Sequence, residues 1–212
     1  MKTEIHPLAG IIAGAARLIS GVQVHWVDCE PSARQRVYFA NHTSHLDAVV
    51  LWAALPKEVR ARTRPIAAKD YWTQGALRRF LAGKVFHALL IERNPLAQKD
   101  GFATARTMMD RLADELGETY SAIVFPEGTR GTGEEVGQFK SGLFHLCVRK
   151  PELELVPTYI ENLNRILPKG EVLPVPLLSR ISFGPPMRIK PDEPKRAFLE
   201  RARAAVCSLR RK

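Results

Sequence analysis

A single-domain α/β fold, built on a mainly parallel, twisted sheet flanked by helices, is the architecture this sequence predicts. Short apolar runs of strand length alternate along the chain with segments of helical periodicity. Strands separated by helices run parallel and are covered on both faces. The length of 212 residues and the hydrophobic share of 45% suit one core of that size.

The first expected element is a helix over 7–20. Positions 8–27 are largely apolar, but Arg17, Gln23 and His25 interrupt them. A membrane span needs about 20 apolar residues, and a central arginine costs roughly 2.5–3.5 kcal/mol. The expectation is therefore an apolar membrane-docking helix lying on or partly in one leaflet, with residues 1–21 as this unit and 22–212 as the main domain. A weak single span and a signal peptide are the competing readings, the latter with Ala13-Gly14-Ala15 as a small-x-small step.

Strands are expected at 22–27, 36–40, 65–68, 85–91, 122–125, 153–160 and 180–183. A helix should begin near Leu46, with Thr43 or Ser44 as its N-cap. The stretch 100–116 carries Phe102, Ala105, Met109, Leu112 and Leu116 on one face, and Gly117 ends it. Helices are also expected at 139–150 and 195–209, the last with Phe198, Ala202, Ala205 and Leu209 on one side. Loops fall at 28–35, 94–99, 128–138 and 162–176; the last is long and proline-rich, a candidate lid or substrate wall.

Thirty-two basic residues against 22 acidic ones leave a net charge of +10. Such a surface suits anionic lipid headgroups, nucleic acid or phosphorylated substrates, and charge alone does not choose among them. Cys29, Cys147 and Cys207 are far apart and form no CxxC or Cys/His cluster. Neither a zinc site nor a disulfide framework is indicated, and a reducing, cytosol-facing compartment is the simple reading. The chain has no GxSxG, GxxxxGK[ST] or GxGxxG, so neither an activated serine nor a nucleotide-cradling loop is expected.

Two loops carry the chemistry. Asn41-His42-Thr43-Ser44-His45-Leu46-Asp47 follows the apolar run 37–40, and Phe125-Pro126-Glu127-Gly128-Thr129-Arg130 follows 122–125. Both read as the ends of buried strands, where α/β proteins place ligands. His42 and Asp47 are too far apart for one helical face but suit a loop turning into a helix. Asp47 would then fix the imidazole tautomer, and the pair would take a proton from a hydroxyl. A hydrogen-bonded loop histidine with no chemical role is the plain alternative. His45 adds a metal reading with His42 and Asp47, disfavoured because three ligands crowd one short turn. Glu127 needs a partner, and Arg130 or Arg93 is available. A salt bridge that merely closes the loop and a substrate-orienting pair carry equal weight. Arg130 and Arg93, converging, suit a phosphate.

These residues resemble the glycerolipid acyltransferase superfamily, particularly the bacterial 1-acyl-glycerol-3-phosphate acyltransferases. The family's four ordered blocks are matched by His42 to Asp47, by Leu89-Leu90-Ile91-Glu92-Arg93, by Phe125 to Arg130, and by Leu155-Val156-Pro157-Thr158-Tyr159-Ile160. Phe139-Lys140-Ser141-Gly142 is similar to the stretch after the third block. In the second block His87, Ala88 and Leu89 stand where the family usually has a glycine and an aromatic.

The resemblance implies acyl transfer from acyl-CoA or acyl-carrier protein to the free hydroxyl of a lysophospholipid, most simply 1-acyl-glycerol-3-phosphate, giving phosphatidic acid. His42 is the implied base and Asp47 its orienting partner. Arg93, Glu127, Gly128, Thr129 and Arg130 are the implied acceptor-binding residues. The donor thioester is already activated, so no metal and no cofactor is expected. The implied partner is an anionic membrane surface, met from the cytoplasmic face as a peripheral or monotopic protein, with no nucleic acid. Other acceptors, such as a lyso-ornithine lipid or glycerol-3-phosphate, stay open. From different classes, a metal-dependent hydrolase and a basic nucleic-acid-binding module remain alternatives. The second rests on Lys57, Arg60, Arg62, Arg64, Lys69, Arg78, Arg79 and Lys84.

Overall fold

A computed structural model describes residues 6–91, 105–163 and 178–210. Its centre is a seven-stranded sheet. The strands are β1 (Gln23–Trp26), β2 (Arg36–Ala40), β3 (Thr63–Ala68), β4 (Leu89–Ile91), β5 (Ser121–Val124), β6 (Glu154–Glu161) and β7 (Arg180–Phe183). Their spatial order is β1-β7-β6-β2-β5-β3-β4. Every pairing is parallel except β6 with β7. The mainly parallel α/β expectation is borne out.

All of β2 is buried, and its side chains alternate between two cores. Tyr38 and Ala40 point into one, Val37 and Phe39 into the other. The first core lies under α1 (Leu8–Ser20) and α2 (Asp47–Ala54); the second under α6 (Ala105–Leu116), α7 (Gly142–Arg149) and α8 (Lys195–Ser208). A strand covered on both faces has no polar side to show, which is why 37–40 after Arg36 is a continuous run of large apolar and aromatic residues closed by alanine.

At the N-terminal ends of β2 and β6, Arg36 faces Glu154 in register. Arg36 Nε donates to Glu154 Oε2 at 3.0 Å, and Arg34 and Arg188 reach the other oxygen. At the opposite end, the Asn41 side chain acts as one more rung of the ladder. Its Nδ2 donates to Ile160 O at 2.9 Å, and its Oδ1 accepts the Ile160 N–H at 2.8 Å.

Three expectations are corrected. The expected strand 85–91 is only Leu89–Ile91. The residues before it form a short helix α5 (Ala76–Phe80) running into a π turn (Leu81–Val85), and His87 has φ 47°. Val85 and Phe86 are buried in the first core, Phe86 edge-on to Trp52 and Trp72, so an apolar helix face reads as a strand. The short helices α3 (Lys57–Arg60) and α4 (Lys69–Trp72) were not expected either. Lastly, neither Thr43 nor Ser44 caps α2: Leu46 occupies the cap position with no side-chain hydrogen bond. The candidate lid lies almost wholly outside the described residues.

The first helix exists with the expected bounds, but one of its faces is already occupied. Ala9, Ala13 and Ser20 are buried on that face, where α1 packs on the α2 side of the sheet. Arg17, read as a flaw in an apolar run, donates to Ala53 O at 2.6 Å, Ala54 O at 3.2 Å and Leu55 O at 3.3 Å. It satisfies the orphan carbonyls at the C-terminus of α2 and complements the dipole there. No helix among the described residues is long and apolar enough to cross a membrane.

Candidate active site

β2 and β5 are neighbours at the middle of the sheet, so the loops after them meet. His42 leaves the end of β2, and Asp47 opens α2 a few residues later. His42 Nδ1 lies 2.9 Å from Asp47 Oδ2. The same oxygen accepts the N–H groups of Thr43 at 2.6 Å and Ser44 at 2.8 Å. Asp47 is 0% exposed; its second oxygen has no hydrogen-bond partner among the described residues. Against a carboxylate held by two amides at a helix N-terminus, Nδ1 is the donor and Nε2 keeps its lone pair. Stacking on Phe125, at 4.4 Å between ring centroids and 24° between planes, fixes the imidazole plane. The histidine is oriented, half-buried and paired with an anion. That is the arrangement a general base needs.

The second loop is tied to the first through backbone rather than through charge. Glu127 is buried; its Oε1 accepts the His42 N–H at 2.8 Å and its Oε2 the Gly137 N–H at 2.9 Å. Gly131 N–H donates back to His42 O at 2.8 Å. Of the two partners the sequence offers Glu127, Arg130 makes no ion pair with it among the described residues and Arg93 lies outside them; two amides hold the carboxylate. A Cβ at Gly137 would come within 2.6 Å of Glu127 Oε2, so any larger residue there would have to displace the carboxylate from the two amides. Gly128, at φ 68°, makes the turn after the glutamate. Gly128, Thr129 and Arg130 are exposed at the mouth of the site.

His45 does not join a metal cluster. Its ring stacks on Tyr71 at 4.9 Å, and the Arg78 guanidinium sits 4.3 Å from the Tyr71 centroid. Among the described residues, no group of three His, Cys, Asp or Glu is placed to hold a metal. Desolvation, then the charges of Arg130, His42 and Arg78, hold the His45 imidazole below its ordinary proton affinity. The basic run is likewise not one open patch. Arg60 donates to Ala53 O and Leu55 O, and Arg64 lies 3.4 Å from the Tyr120 ring centroid.

The Acyltransferase family model matches residues 21–161. This chain belongs to the acyltransferase family. His42, Asp47 and the loop from Glu127 to Arg130 all fall within the match. A 1-acyl-sn-glycerol-3-phosphate acyltransferase of Limnanthes douglasii is 27% identical over 194 residues, 88% of this chain and 63% of the relative. The human 1-acyl-sn-glycerol-3-phosphate acyltransferase alpha is 30% identical over 153 residues, 71% of this chain and 49% of that one. The chain thus spans less than two thirds of these relatives. In fold, this acyltransferase-family chain is similar to the crystal structure of the 1-acyl-sn-glycerophosphate acyltransferase PlsC from Thermotoga maritima. The TM-score is 0.69 at 18% identity, over 95% of this chain and 78% of the other.

Proposed function

We propose that this protein transfers a fatty acyl chain from acyl-CoA or acyl-carrier protein to the free hydroxyl of a lysophospholipid, 1-acyl-glycerol-3-phosphate in the simplest case. The observation that carries the reading is His42 held on Asp47 Oδ2 at 2.9 Å beside the loop of the third family block. His42 Nε2 takes the hydroxyl proton while the oxygen attacks the thioester carbonyl. The tetrahedral intermediate collapses to the new ester, and the leaving thiolate receives the proton back from His42. Asp47 balances the transient imidazolium. The family relatives' names support the acceptor class.

Glu127 acts as a positioning residue in this scheme. Its two oxygens hold the His42 amide and Gly137, so the loop bearing Gly128, Thr129 and Arg130 is set against the base. Arg130, exposed beside the site, with Arg93, receives the acceptor phosphate. The thioester supplies the activation, so no metal or organic cofactor enters the scheme. The protein works as a peripheral enzyme on the cytoplasmic face, docked by α1 on an anionic membrane.

Incubation with acyl-CoA or acyl-carrier protein against a panel of lysophospholipids, read by product mass, tests the proposal. A product heavier than its lysophospholipid by one acyl chain, formed with release of free thiol, is expected. Thioester hydrolysis with no acylated lipid from any acceptor contradicts it.

A further inference from the structure

The exposed side of α1 is apolar. With the other face packed on the domain, what remains is a single stripe of Leu8, Ile11, Leu18 and Ile19, exposed by 38%, 68%, 85% and 48%. One such stripe leaves the protein free to roll about the helix axis. The structure holds a second exposed apolar element next to it. On α5, Leu77 is 69% exposed, and Phe80 is also exposed. The His6 ring meets the Phe80 ring edge-on at 5.4 Å, so the start of α1 and the end of α5 adjoin. Between Leu77 and Phe80 in the chain stand Arg78 and Arg79, both exposed in part or whole. Aliphatic side chains flanked by guanidiniums match a bilayer interface with anionic headgroups. Basic residues of the last helix are spent elsewhere: Arg201 pairs with Glu193 at 2.7 Å, and Arg203 donates to Val136 O at 2.6 Å.

We infer that α5 is a second bilayer contact which, together with α1, seats this protein on an anionic lipid surface in one fixed orientation. The inference rests on the proposed peripheral docking and adds what sets the angle. Its position relates the membrane to the chemistry. Arg78 lies over Tyr71, and Tyr71 stacks on His45, in the loop between His42 and Asp47. The contact surface thus adjoins the mouth of the site, and a lipid acceptor passes from the leaflet to His42 without crossing bulk water. The bound chain buries Leu77 and Phe80 among acyl chains and leaves Arg78 and Arg79 at the headgroups.

The test is co-flotation of the full chain with phosphatidylcholine vesicles, with and without phosphatidylglycerol, and needs no turnover. Its outcome is therefore independent of whether the acyl-transfer reading holds. Leu77→Asp and Ile11→Asp are each expected to weaken partitioning by about tenfold, the loss of one buried aliphatic side chain. Arg79→Glu should weaken binding only to phosphatidylglycerol-containing vesicles. Val148→Asp, an equally apolar exposed site on α7 across the sheet, serves as control and should bind like the parent chain. Thermal melts of each variant exclude unfolding, and Leu77→Ala, with no added charge, repeats the test should Leu77→Asp melt early. Loss of binding in Ile11→Asp with none in Leu77→Asp or Leu77→Ala means that α1 docks alone and overturns the inference. It is equally overturned if the parent chain does not float, or if it is a dimer in solution that Leu77→Asp makes monomeric.

Discussion

Asp47 Oδ2 gathers three donors, the His42 ring and the amides of Thr43 and Ser44. One buried atom thus ties the loop to the imidazole, with Phe125 stacking and the Glu127 carboxylate fixing the rest. Arg130 is set differently: it is exposed, and its charge is close enough to His45 to lower that imidazole's proton affinity. Arg130→Lys keeps the charge and loses the planar fork. It should raise KM for a phosphate-bearing acceptor about tenfold or more, with KM for the thioester donor little changed. Initial rates with each substrate varied separately check this; an unchanged acceptor KM removes Arg130 from phosphate binding. His45 gives a pH prediction. Burial, with Arg130, His42 and Arg78 nearby, depresses its proton affinity below the ordinary value of 6.5. The unfolded chain then takes up this proton first as pH falls. The stability contributed by neutral His45 is present above pH 6.5 and is lost as pH drops through the lower folded value. Denaturant melts at pH 7 and at mildly acidic pH should show a smaller loss for His45→Gln than for the parent chain. Equal losses contradict the assignment.

At the scale of elements, β2 is clamped at both ends. Asn41 extends its ladder to β6 beside the site, and the Arg36–Glu154 pair closes the far end. Burial alone would raise the Glu154 carboxyl, but hydrogen bonds from Arg34 and Arg36 outweigh it and hold it below the ordinary carboxylate value of 4.5. Its contribution is present above that pH and is lost on further acidification. Glu154→Gln leaves Arg36 buried without its counter-charge, at a cost of about 2–4 kcal/mol in chemical denaturation. A loss under about 0.5 kcal/mol, typical of a surface pair, contradicts this. The elements themselves were unevenly legible. Arg36–Ala40 and Arg180–Phe183 carry apolar runs bounded by charge and turn residues, and both emerge with the expected bounds. Helices of four or five residues show no period, so α3, α4 and α5 left no trace. The partner of Glu127 was invisible for a different reason. Any residue supplies an amide N–H, and the only mark of the arrangement in the sequence is a glycine at 137, where a side chain would strike the carboxylate. Arg17 was misread in the same way, because its partners are carbonyls on a helix distant in sequence.

The whole molecule separates its tasks along the sheet. The ion-pair cluster of Arg34, Arg36, Arg188 and Glu154 sits at the N-terminal edge, and the His42–Asp47 pair with the loop after β5 at the C-terminal edge. The His42–Asp47 pairing was legible because its spacing fits only a loop entering a helix. The juxtaposition with the third block follows from β2 pairing with β5, which sequence separation hides. The central claim is that His42 is the base of direct acyl transfer, and the most direct measurement is the single-turnover rate of His42→Ala with a thioester donor and a lysophospholipid. Loss of a positioned base predicts a fall of about 10²–10⁴-fold in a variant that still melts cooperatively, its melting temperature lowered only by the lost Phe125 stacking and Asp47 hydrogen bond. Turnover within a few-fold of the parent chain, in a variant that melts cooperatively, would contradict the account.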